Sequence, residues 1–157
     1  MVYKLLYALG IWKRNPSLSK HLAFLLESDT WSKEELLEYQ LHKCKEFLEF
    51  AYTHSAFYQT TFDDYNFKPS EFKDLEQLKQ LPTISKMTLI KYNRLIHSSY
   101  PFRKNFRALT SGTTGESLAF LKNEEWDSQN RAAMFRGYSW YGVNPADKNG
   151  YLWGYNI

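Results

Sequence analysis

The sequence predicts a mixed α/β fold in which short helices come first and strands come later, and three observations support this. Apolar residues recur every three or four positions through most of the first hundred residues, as they do on one face of a helix. Two short alternating segments, "NFRALT" and "SLAFLK", flank a glycine-rich loop and indicate strands. A further helical segment is followed by "YLWGYNI", an apolar run typical of a buried strand.

The first predicted helices carry local start signals. Asn15 is a candidate N-cap, and Pro16 would then occupy the first helical position. Ser32 and Glu35 have the Ser-x-x-Glu spacing of a capping box, which predicts the start of a second helix. The apolar stripes of the predicted helices contain the side chains that we expect to be buried, namely Leu22, Leu37, Leu41, Cys44, Leu48, Leu75 and Leu78.

Later signals complete the predicted order of elements. Pro82 ends a third helical stripe, and Ser85 caps one further short helix. Asn123 is the candidate cap of a helix that follows the two strands. We therefore assign residues 1–100 to a mainly helical N-terminal segment and residues 101–157 to the start of an α/β nucleotide-binding core, an incomplete domain.

Composition and charge narrow the functional classes. Apolar residues make up 43% of the chain and charged residues 24%, which predicts a folded, soluble protein. A formal charge of +3 does not indicate a nucleic-acid partner. Cys44 is the single cysteine, so an internal disulfide is excluded and a cytoplasmic location is expected. His42, His54 and His97 lack the spacing to acids or cysteines that a metal site needs, and we predict no metal ligands.

The N-terminal segment "MVYKLLYALGIW" is apolar but shorter than the roughly 20 residues that cross a bilayer, and it lacks a small-residue cleavage site. Residues 1–20 contain basic side chains and no acid, which is one feature of interfacial helices. We expect this helix to pack on its own protein, so peripheral membrane contact is only the minor alternative.

The stretch "LTSGTTGESLAF" combines hydroxyl side chains with glycines between the two predicted strands. Backbone N–H groups that converge on one point bind phosphate oxygens, glycines let the backbone approach closely, and hydroxyls add donors. The stretch is not a Walker loop, because Gly115 is followed by Glu116 and a strand rather than by Lys and a helix. From the residues alone, a phosphate-binding loop and a plain hairpin turn both remain open.

The residue order "LTSGTTG" resembles the phosphate-loop signature of the AMP-forming (adenylate-forming) ligase superfamily. Upstream, "FLEFAYTHSAFYQTTF" and "LKQLPTISKMTL" resemble segments of phenylacetate–coenzyme A ligases and of CapK-like proteins of capsular-polysaccharide biosynthesis. Downstream, "RGYSWYGVNPADKNGYLWG" resembles the Arg/Tyr/Trp/Gly stretch of that branch. The resemblance extends from about Pro16 to the last residue.

The resemblance implies the fold and chemistry of that superfamily: a helical N-terminal segment that leads into the first strands of an adenylate-forming large domain. A carboxylate would attack the α phosphate of ATP, pyrophosphate would leave, and Mg²⁺ would share the phosphate charge. The acyl group would then pass to a thiol, typically that of coenzyme A. The residues implied to wrap the β and γ phosphates are Thr110, Ser111, Gly112, Thr113, Thr114 and Gly115; no catalytic residue is assigned.

The sequence departs from the family pattern in two ways, and each departure predicts a functional consequence. Many relatives have Lys or Thr and then Pro after the loop, whereas this chain has Glu116 and Ser117, and a carboxylate beside a polyphosphate weakens binding unless it points away. The family's adenine motif, ribose-binding Asp and C-terminal Lys do not occur in the sequence. We therefore expect an N-terminal fragment that is inactive alone, with the remainder on a separate chain as one arrangement.

Two other readings stay open. The chain could be a non-catalytic remnant or binding module, linked to capsule or polysaccharide biosynthesis, so its status as an enzyme is left undecided. A peripheral membrane module that uses residues 1–14 is the third hypothesis. The acyl substrate and the acceptor, coenzyme A or a sugar, are not indicated by composition.

Overall fold

The structure, a computed structural model, describes residues 2–110, 116–148 and 150, and it is mixed α/β and mostly helical. The α-helices are α1 (Val2–Arg14), α2 (Leu18–Ser28), α3 (Lys33–His54), α4 (Ala56–Asp64), α5 (Lys86–Lys91), α6 (Asn93–Ile96) and α7 (Glu124–Ser139). Short 3₁₀ helices cover Pro69–Glu71 and Leu75–Gln80. In the described residues, β1 (Asn105–Leu109) and β2 (Ala119–Asn123) form one antiparallel pair. The predicted strand at 151–157 lies outside the described residues.

The described residues belong to two compact units. The terminal unit contains α1, α2 and α7, from residues 1–30 and 124–157. The central unit contains α3 to α6, the 3₁₀ helices and the β1–β2 hairpin, from residues 31–123. The predicted domain boundary near residue 100 depends on the family relationship and stays a prediction.

An aromatic cluster forms the core of the central unit. Leu48 from α3 and Phe62 from α4 are buried together with Phe67 and Phe72 from the segment that follows. The ring centroids of Phe62 and Phe67 lie 5.2 Å apart, and those of Phe67 and Phe72 lie 6.2 Å apart, within the range of favourable aromatic contacts. The side chains packed around this cluster are partly buried and include Leu41, Cys44, Leu75 and Leu78.

The start of α3 is the one predicted, but the extent of its buried face is not. The Glu35 backbone N–H donates to the Ser32 hydroxyl at 3.1 Å, and the Ser32 N–H donates to the Glu35 carboxylate at 2.7 Å, which confirms the capping box. Leu37, however, is 46% exposed, so its predicted burial is wrong. The fully buried residues of α3 are Leu48 and Ala51, in its second half. Periodicity shows which face of a helix is apolar, but not how far along the helix a packing partner extends.

The predicted role of Asn15 as a helix cap is also wrong. Its N–H donates to the Ile11 carbonyl at 2.7 Å, which extends α1, and α2 begins only at Leu18 after Ser17. Pro16 therefore lies in the turn between two helices. The Asn15 side chain is 1% exposed and donates to the carboxylate of Asp127 at 3.0 Å. Local sequence favoured a cap, but a partner 112 positions away takes the side chain instead.

Polar groups fill the contact between α7 and the turn before α2. Asp127 accepts from Asn15 and pairs with Arg131 at 3.3 Å and Arg14 at 3.6 Å. Glu124 accepts from the Ser17 N–H at 3.2 Å and from the hydroxyl of Ser128. Both carboxylates lie in the first turn of α7, where the helix dipole favours negative charge.

The remaining predicted helices are present in a modified form. Two 3₁₀ helices replace the α-helix predicted before Pro82; a capping box of Asp74 and Gln77 starts the second of them. Ser85 caps α5 as predicted, through a 3.1 Å bond from the Thr88 N–H, but the helix breaks at Tyr92 before α6. Among the described residues, no helix is long and apolar enough to cross a membrane.

Candidate functional site

The base of the predicted phosphate loop is closed by hydrogen bonds at the end of the hairpin. The Thr110 N–H donates to the Leu118 carbonyl at 3.0 Å, and the Leu118 N–H donates to the Thr110 hydroxyl at 3.0 Å. These bonds continue the ladder beyond the last strand pair, Leu109 with Ala119. The hairpin thus fixes the first predicted site residue. The others, Ser111, Gly112, Thr113, Thr114 and Gly115, lie outside the described residues, and their predicted role is untested.

Two side chains bind the outer edge of β2: those of Asn93, the first residue of α6, and of His97, which follows the helix. The Asn93 amide donates to the Ala119 carbonyl at 2.7 Å, and the Leu121 N–H donates to Nε2 of His97 at 3.1 Å. Asn93 and His97 are one helical turn apart, and they form hydrogen bonds to the backbone of alternate residues of β2. A neighbouring strand would bind the same backbone groups. An unpaired strand edge attracts other chains, and these two side chains cover this one.

The hydrogen bonds of His97 involve both nitrogens of its ring. Nε2 accepts from Leu121, so it carries no hydrogen, and Nδ1 lies 2.6 Å from the Asn93 carbonyl, to which it donates. This pairing corresponds to the tautomer with the hydrogen on Nδ1.

A cavity of about 380 Å³ lies between α6 and the hairpin. Its lining combines the apolar side chains of Ala119, Phe120 and Leu121 with the polar groups of α6 and two arginines, Arg94 and Arg107. Both arginines are exposed, and in the part of the chain that the structure describes neither forms an ion pair with a carboxylate. Guanidinium groups beside an apolar surface suit a small anion that has an apolar portion.

A second, more polar cavity of about 550 Å³ lies beside α3 and α4. Within it the Tyr52 hydroxyl donates to the Asp63 carboxylate at 2.9 Å. This hydrogen bond raises the pKa of Tyr52 above its ordinary value, so the phenol stays protonated at neutral pH. Tyr52 is therefore a hydrogen-bond donor here and not a base.

The surroundings of the other residues singled out by sequence do not favour reactivity. Cys44 is partly buried, and burial raises the pKa of its thiol, which disfavours the reactive thiolate. His54 packs against the rings of Phe50 and Tyr100. In residues 2–110 and 116–148, no group of three or more His, Cys, Asp or Glu side chains is placed to hold a metal ion.

Sequence reasoning missed the residues that position the hairpin. The sequence pattern raises His97 only as a metal ligand, which it excludes, and it assigns no role to Asn93, Arg94 or Arg107. The spacing of Asn93 and His97 by four residues was visible, but the strand edge that they bind is 26 and 24 positions away in the chain. No local signal connects them to it.

Comparisons with known proteins do not assign the chain to a family. No family model matches the chain, and no curated protein matches it.

Proposed function

We propose that the chain is the N-terminal part of an AMP-forming carboxylate–coenzyme A ligase-like enzyme, in which residues 110–115 bind the β and γ phosphates of ATP. The observation that carries the proposal is the position of "TSGTTG" at the connection between two paired antiparallel strands. Converging backbone donors bind phosphate best when the ends of the loop are already fixed, because the loop then loses less entropy on binding.

Thr110 has the hydrogen-bonding capacity that this role requires. Its hydroxyl oxygen accepts from the Leu118 N–H, and a hydroxyl that accepts one bond still has a hydrogen to donate. That hydrogen would go to a phosphate oxygen. Glu116, the residue expected to repel polyphosphate, is exposed, so water screens its charge.

ATP would enter this site together with Mg²⁺, which neutralises phosphate charge and accepts oxygen ligands. Glu116, which directly follows the loop, is exposed, and its carboxylate is of the kind that would bind a hard cation. A small carboxylate would be the second substrate, and the thiol of coenzyme A the acceptor. These substrates favour a cytoplasmic location.

Pyrophosphate exchange tests the proposal directly. We expect no exchange by the chain alone, and exchange when it is joined to a family-typical remainder that supplies adenine and ribose contacts. In the joined protein, Thr113→Ala or Thr114→Ala should weaken nucleotide binding by about 1.5 to 3 kcal/mol, the value of one charge-assisted hydrogen bond. Thr60→Ala, at an exposed position of α4, is the matched control and should leave exchange unchanged.

The second candidate is a non-catalytic binding module, linked to capsule or polysaccharide biosynthesis. The cavity beside Arg94 and Arg107 favours it, because that cavity can hold a small anion without any phosphate loop. If the joined protein shows no exchange, and titration calorimetry shows anion binding that Arg107→Ala abolishes and Thr113→Ala leaves unchanged, the binding module is supported and the enzyme is excluded.

A further inference from the structure

Helix α1 carries a stripe of large apolar side chains that face solvent. Their exposed fractions are 72% for Val2, 63% for Leu5, 63% for Leu6, 52% for Leu9 and 73% for Trp12. These positions follow one another at steps of three, one, three and three, so they lie on one face of the helix. We name this set the α1 stripe. A contiguous exposed apolar surface of this kind marks an interaction site.

The opposite face of α1 contacts the rest of the terminal unit. Lys4 forms an ion pair with Asp147 at 2.6 Å, and Ile11 is partly buried. Helical geometry at 100° per residue places Lys4 and Ile11 far from the middle of the α1 stripe. Of the residues of α1 only Ile11 is partly buried, so the apolar face is exposed along the whole helix. This result differs from the expectation that the segment's apolar side chains pack on their own protein.

We propose that the α1 stripe inserts into the interface of an anionic lipid membrane. Charge supports this partner: residues 1–26 contain Lys4, Lys13, Arg14 and Lys20 but no Asp or Glu. Lys4 pairs with Asp147 and Arg14 with Asp127, and both basic side chains remain about half exposed. Trp12 adds an aromatic ring of the type that settles at the boundary between headgroups and acyl chains.

The dimensions of α1 fit a helix that lies in the membrane plane. Its 13 residues span about 20 Å at 1.5 Å per residue, which is shorter than the ~30 Å hydrocarbon core. An in-plane helix buries only its apolar face, and that is the face left exposed here. Lys4 and Asp147, which form an exposed ion pair, lie on the side that would remain in water.

A second copy of the chain is the competing occupant of this surface. Two α1 stripes packed together would bring two sets of basic side chains close to each other, and like charges repel. An anionic lipid surface attracts the same side chains. The charge pattern therefore favours the membrane.

Vesicle flotation of the full chain tests the proposal. We expect flotation with vesicles that contain phosphatidylglycerol, and much less flotation with pure phosphatidylcholine vesicles or at high salt. The double substitution Leu5→Ser with Leu9→Ser should reduce vesicle partitioning about tenfold or more. Leu36→Ser with Leu37→Ser is the matched control, because these leucines are 44% and 46% exposed on α3, and it should float like the wild type.

A second measurement reports on Trp12 itself. The difference between the emission spectra of the wild type and of Trp12→Phe isolates this ring, and it should shift to the blue when phosphatidylglycerol vesicles are added. This measurement does not depend on whether the Leu5→Ser and Leu9→Ser variant retains its fold.

Several outcomes would overturn the proposal. They are equal flotation on neutral and anionic vesicles, wild-type flotation of the Leu5→Ser and Leu9→Ser variant, or no shift in Trp12 emission. A wild-type dimer in sedimentation velocity that the stripe variant abolishes, without any flotation, would assign the surface to a second copy of the chain.

Discussion

The two units of the molecule are built on different chemistry. In the central unit the buried cluster is entirely apolar and consists of Leu48, Phe62, Phe67 and Phe72. In the terminal unit the largest fully buried side chains are polar, Asn15 and Ser128. Removal of aromatic surface from water stabilises the apolar cluster, whereas the buried Asn15 amide donates hydrogen bonds to Asp127 and Ser128.

The difference also concerns distance along the chain. The apolar cluster of the central unit joins residues between positions 48 and 72, whereas the Asn15–Asp127 bond joins residues 112 positions apart. A local apolar pattern contains information about its own packing. A remote polar contact does not, because each partner alone has the sequence appearance of a cap or an exposed residue.

The largest expected effect is in the apolar cluster. Phe62→Ala should lower the free energy of unfolding by about 3 to 5 kcal/mol, because the 3% exposed ring leaves a cavity among Phe67, Phe72 and Leu48. Urea denaturation followed by circular dichroism measures this change. Phe47→Ala is the control, since Phe47 is 64% exposed on α3, and it should cost less than about 0.5 kcal/mol. Equal costs would show that the cluster is not a core.

Removal of the central acceptor of the polar network should have a somewhat smaller effect. Asp127→Ala should cost about 2 to 3 kcal/mol, because Asn15 then loses a hydrogen bond to a charged group while it remains buried. Arg14 and Arg131 are partly exposed and can turn to water, which limits the cost. Asp147→Asn is the control: it removes an exposed ion pair and should cost under about 1 kcal/mol. If both variants lose the same free energy of unfolding, the buried network contributes no more stability than the exposed ion pair.

The distance between interacting residues also explains which parts of the fold could be predicted. The capping box at Ser32, the Ser85 cap and the two strands are local features, and the structure confirms them. The position of Asn15 and the exposure of Leu37 depend on which elements meet in space. Periodicity and capping rules do not contain that information.

The candidate site likewise has parts that local sequence predicts and parts that it does not. Strands on both sides of "TSGTTG" were predicted from local alternation, and the hairpin confirms them. The hydrogen bonds of Asn93 and His97 to β2 could not be predicted. They require α6 to lie against a strand edge that follows it by more than 20 residues. The role of residues 111–115 rests on the resemblance and stays a prediction.

A smaller effect is expected where a contact is local and exposed. Ser32→Ala should lower the free energy of unfolding by about 1 kcal/mol, because the Glu35 N–H at the start of α3 loses its acceptor. Ser32→Asp restores an acceptor at that position and should recover most of the loss. Thermal denaturation compares the three proteins. A Ser32→Asp variant as unstable as Ser32→Ala would mean that the hydroxyl acts through something other than capping.

The smallest effect concerns the other half of the same capping box, and it depends on pH. The bond from the backbone N–H of Ser32, together with the Ser32 side chain, holds the pKa of Glu35 below its ordinary value of 4.5. A depressed folded-state pKa contributes stability above about pH 4.5, and this contribution is lost as the pH falls through the folded-state pKa. The melting temperature of Glu35→Gln should therefore lie slightly below that of the wild type at neutral pH, and the two should converge in acid. Glu38→Gln, exposed on the same helix and outside the cap, should show no such convergence. A difference between wild type and Glu35→Gln that stays constant from neutral to acidic pH would contradict the assignment of this carboxylate to the cap.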